Sequence, residues 1–124
     1  MNVALYIAAF LAAAVGVAHS VLGERYILTR LFRREGLPKL FGGTEFTTRT
    51  LRFAWHVTTL AWWGFAVLLF QLANGTSSPR NLALVIGYTS CASAILTFII
   101  SRAQHLAWLA FLFIGIVALY AAAA

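Results

Sequence analysis

Three imidazoles stand near the ends of three hydrophobic segments. His19 lies near the end of the first, His56 one turn into the second, and His105 at the opening of the fourth. Chain direction reverses from one span to the next, so all three ends fall on the same side of a membrane. At a rise of about 1.5 Å per residue they lie within one or two turns of a common depth. Glu24 lies at that level, just past the first segment, with Arg52 and Arg102 slightly further out. Ionisable groups are costly in a bilayer and mark sites where they occur. Three imidazoles and a carboxylate suit zinc, copper or iron, with His19, His56, His105 and Glu24 as ligands. Two imidazoles on facing helices suit haem b. His19 with His56 is the natural pair and His56 with His105 the next. Gly16 and Gly23 would leave room for the macrocycle, and Arg52 or Arg102 could pair the propionates. Spacing sets one limit: His19 and Glu24 are five apart, about 140° around an α-helix. Both reach one ion only if the helix breaks near Gly23. No HxxxH or HExxH pair occurs.

Two further readings use the same residues. Histidine can act as a general base near neutral pH, with Glu24 orienting it, on a lipid or quinone at headgroup level. Ser20 and Ser101 are nearby hydroxyls, although no nucleophile-elbow motif surrounds them. In the plainest reading, the imidazoles tie helix ends to loop carbonyls and lipid headgroups and bind nothing.

The elements that must position these residues emerge from composition. Of 124 residues, 62% are hydrophobic and 10% charged, with a mean hydropathy of +0.88. A soluble domain carries roughly 25% charged residues, so this chain uses lipid as its solvent. Four segments approach the roughly 20 residues that a span needs: 3–22, 53–73, 81–101 and 105–123. Each must be helical, because hydrocarbon offers no partner to backbone N–H and C=O groups. The first has no basic stretch before it and runs to full spanning length, which favours a mature helix over a cleaved signal. Residues 74–80 and 102–104 are short connections, so the expected fold is all-α integral membrane, a single domain. It is an up-down-up-down four-transmembrane-helix bundle. Cys91, the only cysteine, excludes an internal disulfide and a thiolate zinc cage.

Charge orients the spans. Loop 23–52 holds Arg25, Arg30, Arg33, Arg34, Lys39, Arg49 and Arg52, seven of the nine basic residues. The positive-inside rule puts loops one and three in the cytoplasm and both chain ends outside. The net charge of +6 is therefore a topology and anionic-lipid signal. A nucleic-acid role would need a basic groove with aromatic platforms on a soluble module. Within the loop, Glu24–Glu35 alternates apolar and basic residues at roughly helical spacing. It predicts an interfacial helix on the anionic leaflet, or a direct continuation of the first span. Gly36 and Pro38 should end it, and Thr44 or Thr47 should cap a short helix leading into the second span. The loop could also form a lid over a site at the cytoplasmic face.

Helical spacing selects the inward faces. Ala12, Gly16, His19 and Gly23 form a close-packing seam on the first helix. Arg52, His56, Thr59 and Trp63 share a face of the second, and Ser90, Ser93, Thr97 and Ser101 form a polar stripe on the third. Trp55 and Trp108 fit an interfacial belt, whereas Trp63 is deeper and on the His56 face. Proton-coupled export would need an acidic residue within a span, and the spans contain none.

HSVLGE at 19–24, RFAWHVTTLAWW at 52–63 and RAQHLAW at 102–108 resemble a family of small, uncharacterised four-span bacterial membrane proteins. The resemblance implies the architecture and a bacterial inner-membrane location, and it implies no activity. Taken together, the sequence favours a haem- or metal-binding site at the cytoplasmic end. It is built from His19, His56 and His105, with Glu24, Arg52 and Trp63 beside them. The alternative is a cofactor-free accessory or scaffolding subunit of a larger membrane complex, partnered by another membrane protein or a second copy.

Overall fold

The computed structural model describes residues 2–124 as four helices, with no strand among them. They are α1 (Val3–Leu31), α2 (Glu45–Asn74), α3 (Pro79–Ser101) and α4 (Ala107–Ala123). The first three are long and apolar enough to cross a membrane, and α4 is a shorter apolar helix of 17 residues.

Consecutive helices pack antiparallel. Tyr6 near the start of α1 bonds Asn74 at the end of α2, while Ser20 meets His56. Gly64 faces Thr89 across α2 and α3, and Gly87 and Gly115 bring α3 and α4 together against Leu119 and Cys91. These seams are made of residues with little or no side chain, which is how helices approach closely in lipid. The helices nevertheless form an open row. Among the described residues, no Cα of α1 comes within 8 Å of α3 or α4. The expected bundle therefore has its up-down neighbours but no closing contact between first and last helices.

Local chemistry fixes the ends. Gly75 takes the left-handed conformation (φ 67°) that ends α2, and Ser78 caps α3, its Oγ accepting from the Asn81 N–H at 3.1 Å with Pro79 at the first position. Ser78→Ala is expected to lower the unfolding free energy in detergent by about 1 kcal/mol, read as a shift in a denaturant titration followed by circular dichroism. Arg102 and Ala103, both at positive φ (51° and 62°), make the tight link into α4.

The first loop takes the second of its two expected forms, a direct continuation of the first span. There is no separate interfacial helix over Glu24–Glu35. The α-helical part of α1, Val3–Leu22, runs on through a π-helical stretch, Gly23–Leu28, into Thr29–Leu31. Leu28 is buried, so the extension is seated against the protein and its basic residues ring a stem. Likewise α2 begins at Glu45, well before the apolar stretch opens at Phe53. Thr44 precedes it without a side-chain cap bond, and Thr47 Oγ1 instead donates to the Pro38 carbonyl at 2.8 Å.

Candidate functional site

The site lies between α1 and α2 where both helices leave the apolar zone. Ser20 and Glu24, four apart, share a face of α1. Arg52, His56 and Thr59 share the facing side of α2, as their spacing predicts. His56 bridges the two helices. Its Nε2 is 3.0 Å from Glu24 Oε2 and its Nδ1 is 2.8 Å from Ser20 Oγ. Ser20 Oγ also lies 2.5 Å from Thr59 Oγ1. Arg52 holds the far side of the carboxylate, with a terminal nitrogen 3.0 Å from Oε1 and Nε 3.3 Å from Oε2. The Phe32 ring covers the guanidinium at 4.9 Å, so the turn after α1 folds back over the pair.

The hydrogen-bond inventory fixes the sense of the chain. An ionised carboxylate only accepts, so the neutral imidazole donates from Nε2 to Glu24. Its Nδ1 then accepts the Ser20 hydroxyl proton, and Ser20 Oγ accepts from Thr59. Protonating His56 reverses the inner half: Nδ1–H donates to Ser20, whose own proton turns to Thr59. A continuous path thus runs from the half-exposed Glu24 and Arg52 to Thr59, which is 3% exposed. The arrangement can shift a proton along itself, and it polarises the Ser20 hydroxyl.

Two indoles set the spacing between the helices. Trp55 Nε1 donates to the His19 carbonyl at 2.8 Å, and the Trp63 indole donates to the Ala13 carbonyl at 3.3 Å. Each occupies space opened by a glycine of α1. A Cβ on Gly23 would overlap the Trp55 indole, and one on Gly16 would lie 2.7 Å from Trp63 Nε1. The π-helical stretch begins at Gly23. Such insertions into an α-helix are often found at functional sites.

The three imidazoles are not brought together. His19 stacks on Trp55, ring centroids 4.4 Å apart and planes within 3°, and its Nε2 donates to the Trp55 carbonyl at 3.2 Å. His105 lies at the head of α4, where its Nδ1 accepts the Ala107 N–H at 3.2 Å and its ring packs between Phe46 and Phe53. It is a helix cap. Of the expected site residues, only His56, Glu24 and Arg52 meet. Trp63 lies on their helix face but anchors α1 instead of lining an opening.

No family model, curated protein or solved structure matches this chain. The donors do not fit a metal ion: the described residues contain no group of three or more His, Cys, Asp or Glu side chains that could hold one. They do not fit a bis-imidazole haem either. Both nitrogens of His56 are engaged, and ligation through either would break its bond to Ser20 or Glu24. The members of this hydrogen-bonded chain that sequence reasoning underweights are Ser20 and Thr59. Their signal is Ser20-x-x-x-Glu24 on α1 opposite Arg52-x-x-x-His56-x-x-Thr59 on α2. His19 outweighs them in the sequence because imidazoles ligate metals and serines do not.

Proposed function

We propose that the chain is a four-span protein of a bacterial inner membrane carrying an acid–base site at its cytoplasmic end, where His56 activates the Ser20 hydroxyl toward a lipid-borne substrate with an ester or similar electrophilic carbonyl. The observation that carries this reading is the hydrogen-bonded sequence Glu24–His56–Ser20. A carboxylate that orients an imidazole, which in turn accepts a hydroxyl proton, is the arrangement by which a weak oxygen nucleophile is activated. Arg52 pairs with Glu24 through two nitrogens and holds it in place. The depth suits a substrate whose reacting carbonyl lies at the level of the headgroups.

Topology supports the same side for both site and substrate. Seven of nine basic residues lie in the first loop and helix ends around it, which favours a cytoplasmic side for loops 32–44 and 102–106. The fourth helix lies antiparallel along α3, from Gly115 against Cys91 to Leu119 against Gly87. At 17 residues it is at the short end of the spanning range, about 17–25. Anionic lipids would gather around Arg25, Arg30, Arg33 and Arg34.

A fluorophosphonate probe tests the reading, because it reacts with activated serine hydroxyls. In native membranes at neutral pH, the protein should be labelled at Ser20. Labelling should fall to background in Ser20→Ala and at least tenfold in His56→Gln. Background labelling of the unmodified protein, or full labelling of His56→Gln, would leave the chain as a cofactor-free accessory subunit in which Glu24, His56 and Ser20 merely fasten two helices.

A further inference from the structure

The tip of the first loop carries a conformation that folding alone does not explain. Leu40 and Gly43 exchange backbone hydrogen bonds at 2.9 and 3.4 Å, closing a two-residue turn. Its central residues, Phe41 and Gly42, both have positive φ (56° and 90°). Turns of this type strongly prefer Asn, Asp or Gly at both centres. A bulky aromatic residue there is a genuine backbone outlier. Phe41 is also 89% exposed, and Leu40 beside it and Leu106 in the facing link are exposed as well. Backbone strain with almost no burial in return points to something outside the protein that covers the ring.

The depth of the ring is fixed by its neighbours. Phe41 packs edge-on against Phe46 at 4.9 Å, and Phe46 stacks on His105, the residue that caps α4. A cleft of about 460 Å³ runs between the turn and the link, lined by Leu40, Phe46 and Gln104 among others. Gln104 is tied to α2 by Arg49, whose NH1 donates to Oε1 at 3.1 Å. The loop is therefore folded down to the level at which α3 ends and α4 begins, and does not stand above it.

We propose that Phe41, with Leu40 and Leu106, is a membrane-inserting tip that enters the headgroup and upper acyl region of the cytoplasmic leaflet. The occupant is lipid, and charge complementarity selects anionic lipid: Lys39 adjoins the tip and Arg33 and Arg34 belong to the same loop, against Glu35 alone, because Glu45 at the cleft is paired with Arg49 at 3.6 Å. Basic residues beside an exposed aromatic are the pattern of an interfacial anchor. The inference rests on the topology proposed above. It gives the loop a second attachment to the bilayer besides the spans, next to the site that Arg52 and Phe32 close.

Hydroxyl-radical footprinting of the unmodified protein in nanodiscs containing about one-third phosphatidylglycerol, enough to make the surface strongly anionic, tests this directly. Phe41 should be protected despite its exposure in the protein, while Tyr26 on the stem is oxidised. A Phe41→Cys variant in a Cys91→Ser background, carrying an environment-sensitive fluorophore, should be quenched by spin-labelled lipid with the label near the headgroup, and weakly by one labelled near the chain end. Oxidation of Phe41 in the nanodisc, or an emission unaltered by either lipid, would overturn the proposal. Labelling of the introduced thiol in intact cells by an impermeant maleimide would instead overturn the topology, so the two failures are distinguishable.

Discussion

Replacing Gly23 with leucine is expected to lower the unfolding free energy in detergent by about 2–3 kcal/mol, the upper part of the range for overpacking a close seam. The reason is local and severe. The Trp55 indole lies where the first side-chain carbon would be. It cannot swing away without losing its 2.8 Å bond to the His19 carbonyl and the stack of its ring on His19. Nothing on α1 replaces the lost contact, because Trp55 and His19 bond each other's backbone carbonyls and each serves as the other's clamp. Even Gly23→Ala should destabilise, which is a sharper test. In an ordinary helix interior that change is worth about 0.5–1 kcal/mol in the stabilising direction. Gly43→Ala provides the control, since nothing lies within 4 Å of its Cβ position and its φ is not positive. The measurement is a denaturant titration in mixed micelles, followed by tryptophan fluorescence and circular dichroism. A neutral Gly23→Ala would mean that the indole is not seated at this helix junction.

Much of this architecture is legible in the sequence because lipid imposes strong rules. Hydropathy alone locates the apolar stretches, and Asn74, Gly75 and Pro79 of the short 74–80 connection fall where α2 stops and α3 starts. Helical spacing also chooses the right faces. Ala12 and Gly16 of the α1 seam are buried, and Thr59 on α2 and Ser93, Thr97 and Ser101 on α3 are buried too. Helix ends are less legible. A continuous helix through Gly23–Leu31 competes with an amphipathic helix lying in the interface, and the two share one pattern of basic and apolar residues. The π-helical register that resolves the choice in favour of continuation has no sequence signature of its own.

The site is legible at the level of depth but not of direction. His19, His56 and His105 do lie near one end of the helices, yet depth says nothing about azimuth. His19 points along Trp55, His56 across to Glu24, and His105 back onto the N–H of Ala107. Azimuth depends on helix rotation, which a hydrophobic pattern fixes only loosely in a chain apolar on all sides. The pairing of Ser20 with Thr59 depends further on a separation small enough for two hydroxyls to touch. That separation is set by the Gly16 and Gly23 seats beneath the two indoles, so the signal lies in the glycines and tryptophans and not in the titratable residues.

His56→Leu is expected to cost about 2 kcal/mol, because it removes two bonds at once and leaves a half-buried carboxylate facing an apolar group. Water reaches the outer part of Glu24, which keeps the loss below the several kcal/mol of a fully buried charge. Ser20→Ala should cost less, about 1 kcal/mol, since Thr59 can turn to a backbone carbonyl of its own helix while His56 keeps Glu24. The informative quantity is the coupling. In a double-mutant cycle of Glu24→Gln with His56→Gln, the pair should be worth about 1 kcal/mol beyond the sum of the singles, as expected for groups in one network. The same cycle between His19→Gln and His56→Gln should give a coupling near zero, because those imidazoles share no bonding partner. A coupling between His19 and His56 larger than that between Glu24 and His56 would return the two histidines to a common site and make the Glu24–His56–Ser20 chain incidental. Equal and negligible couplings would reduce all three contacts to independent fastenings between α1 and α2.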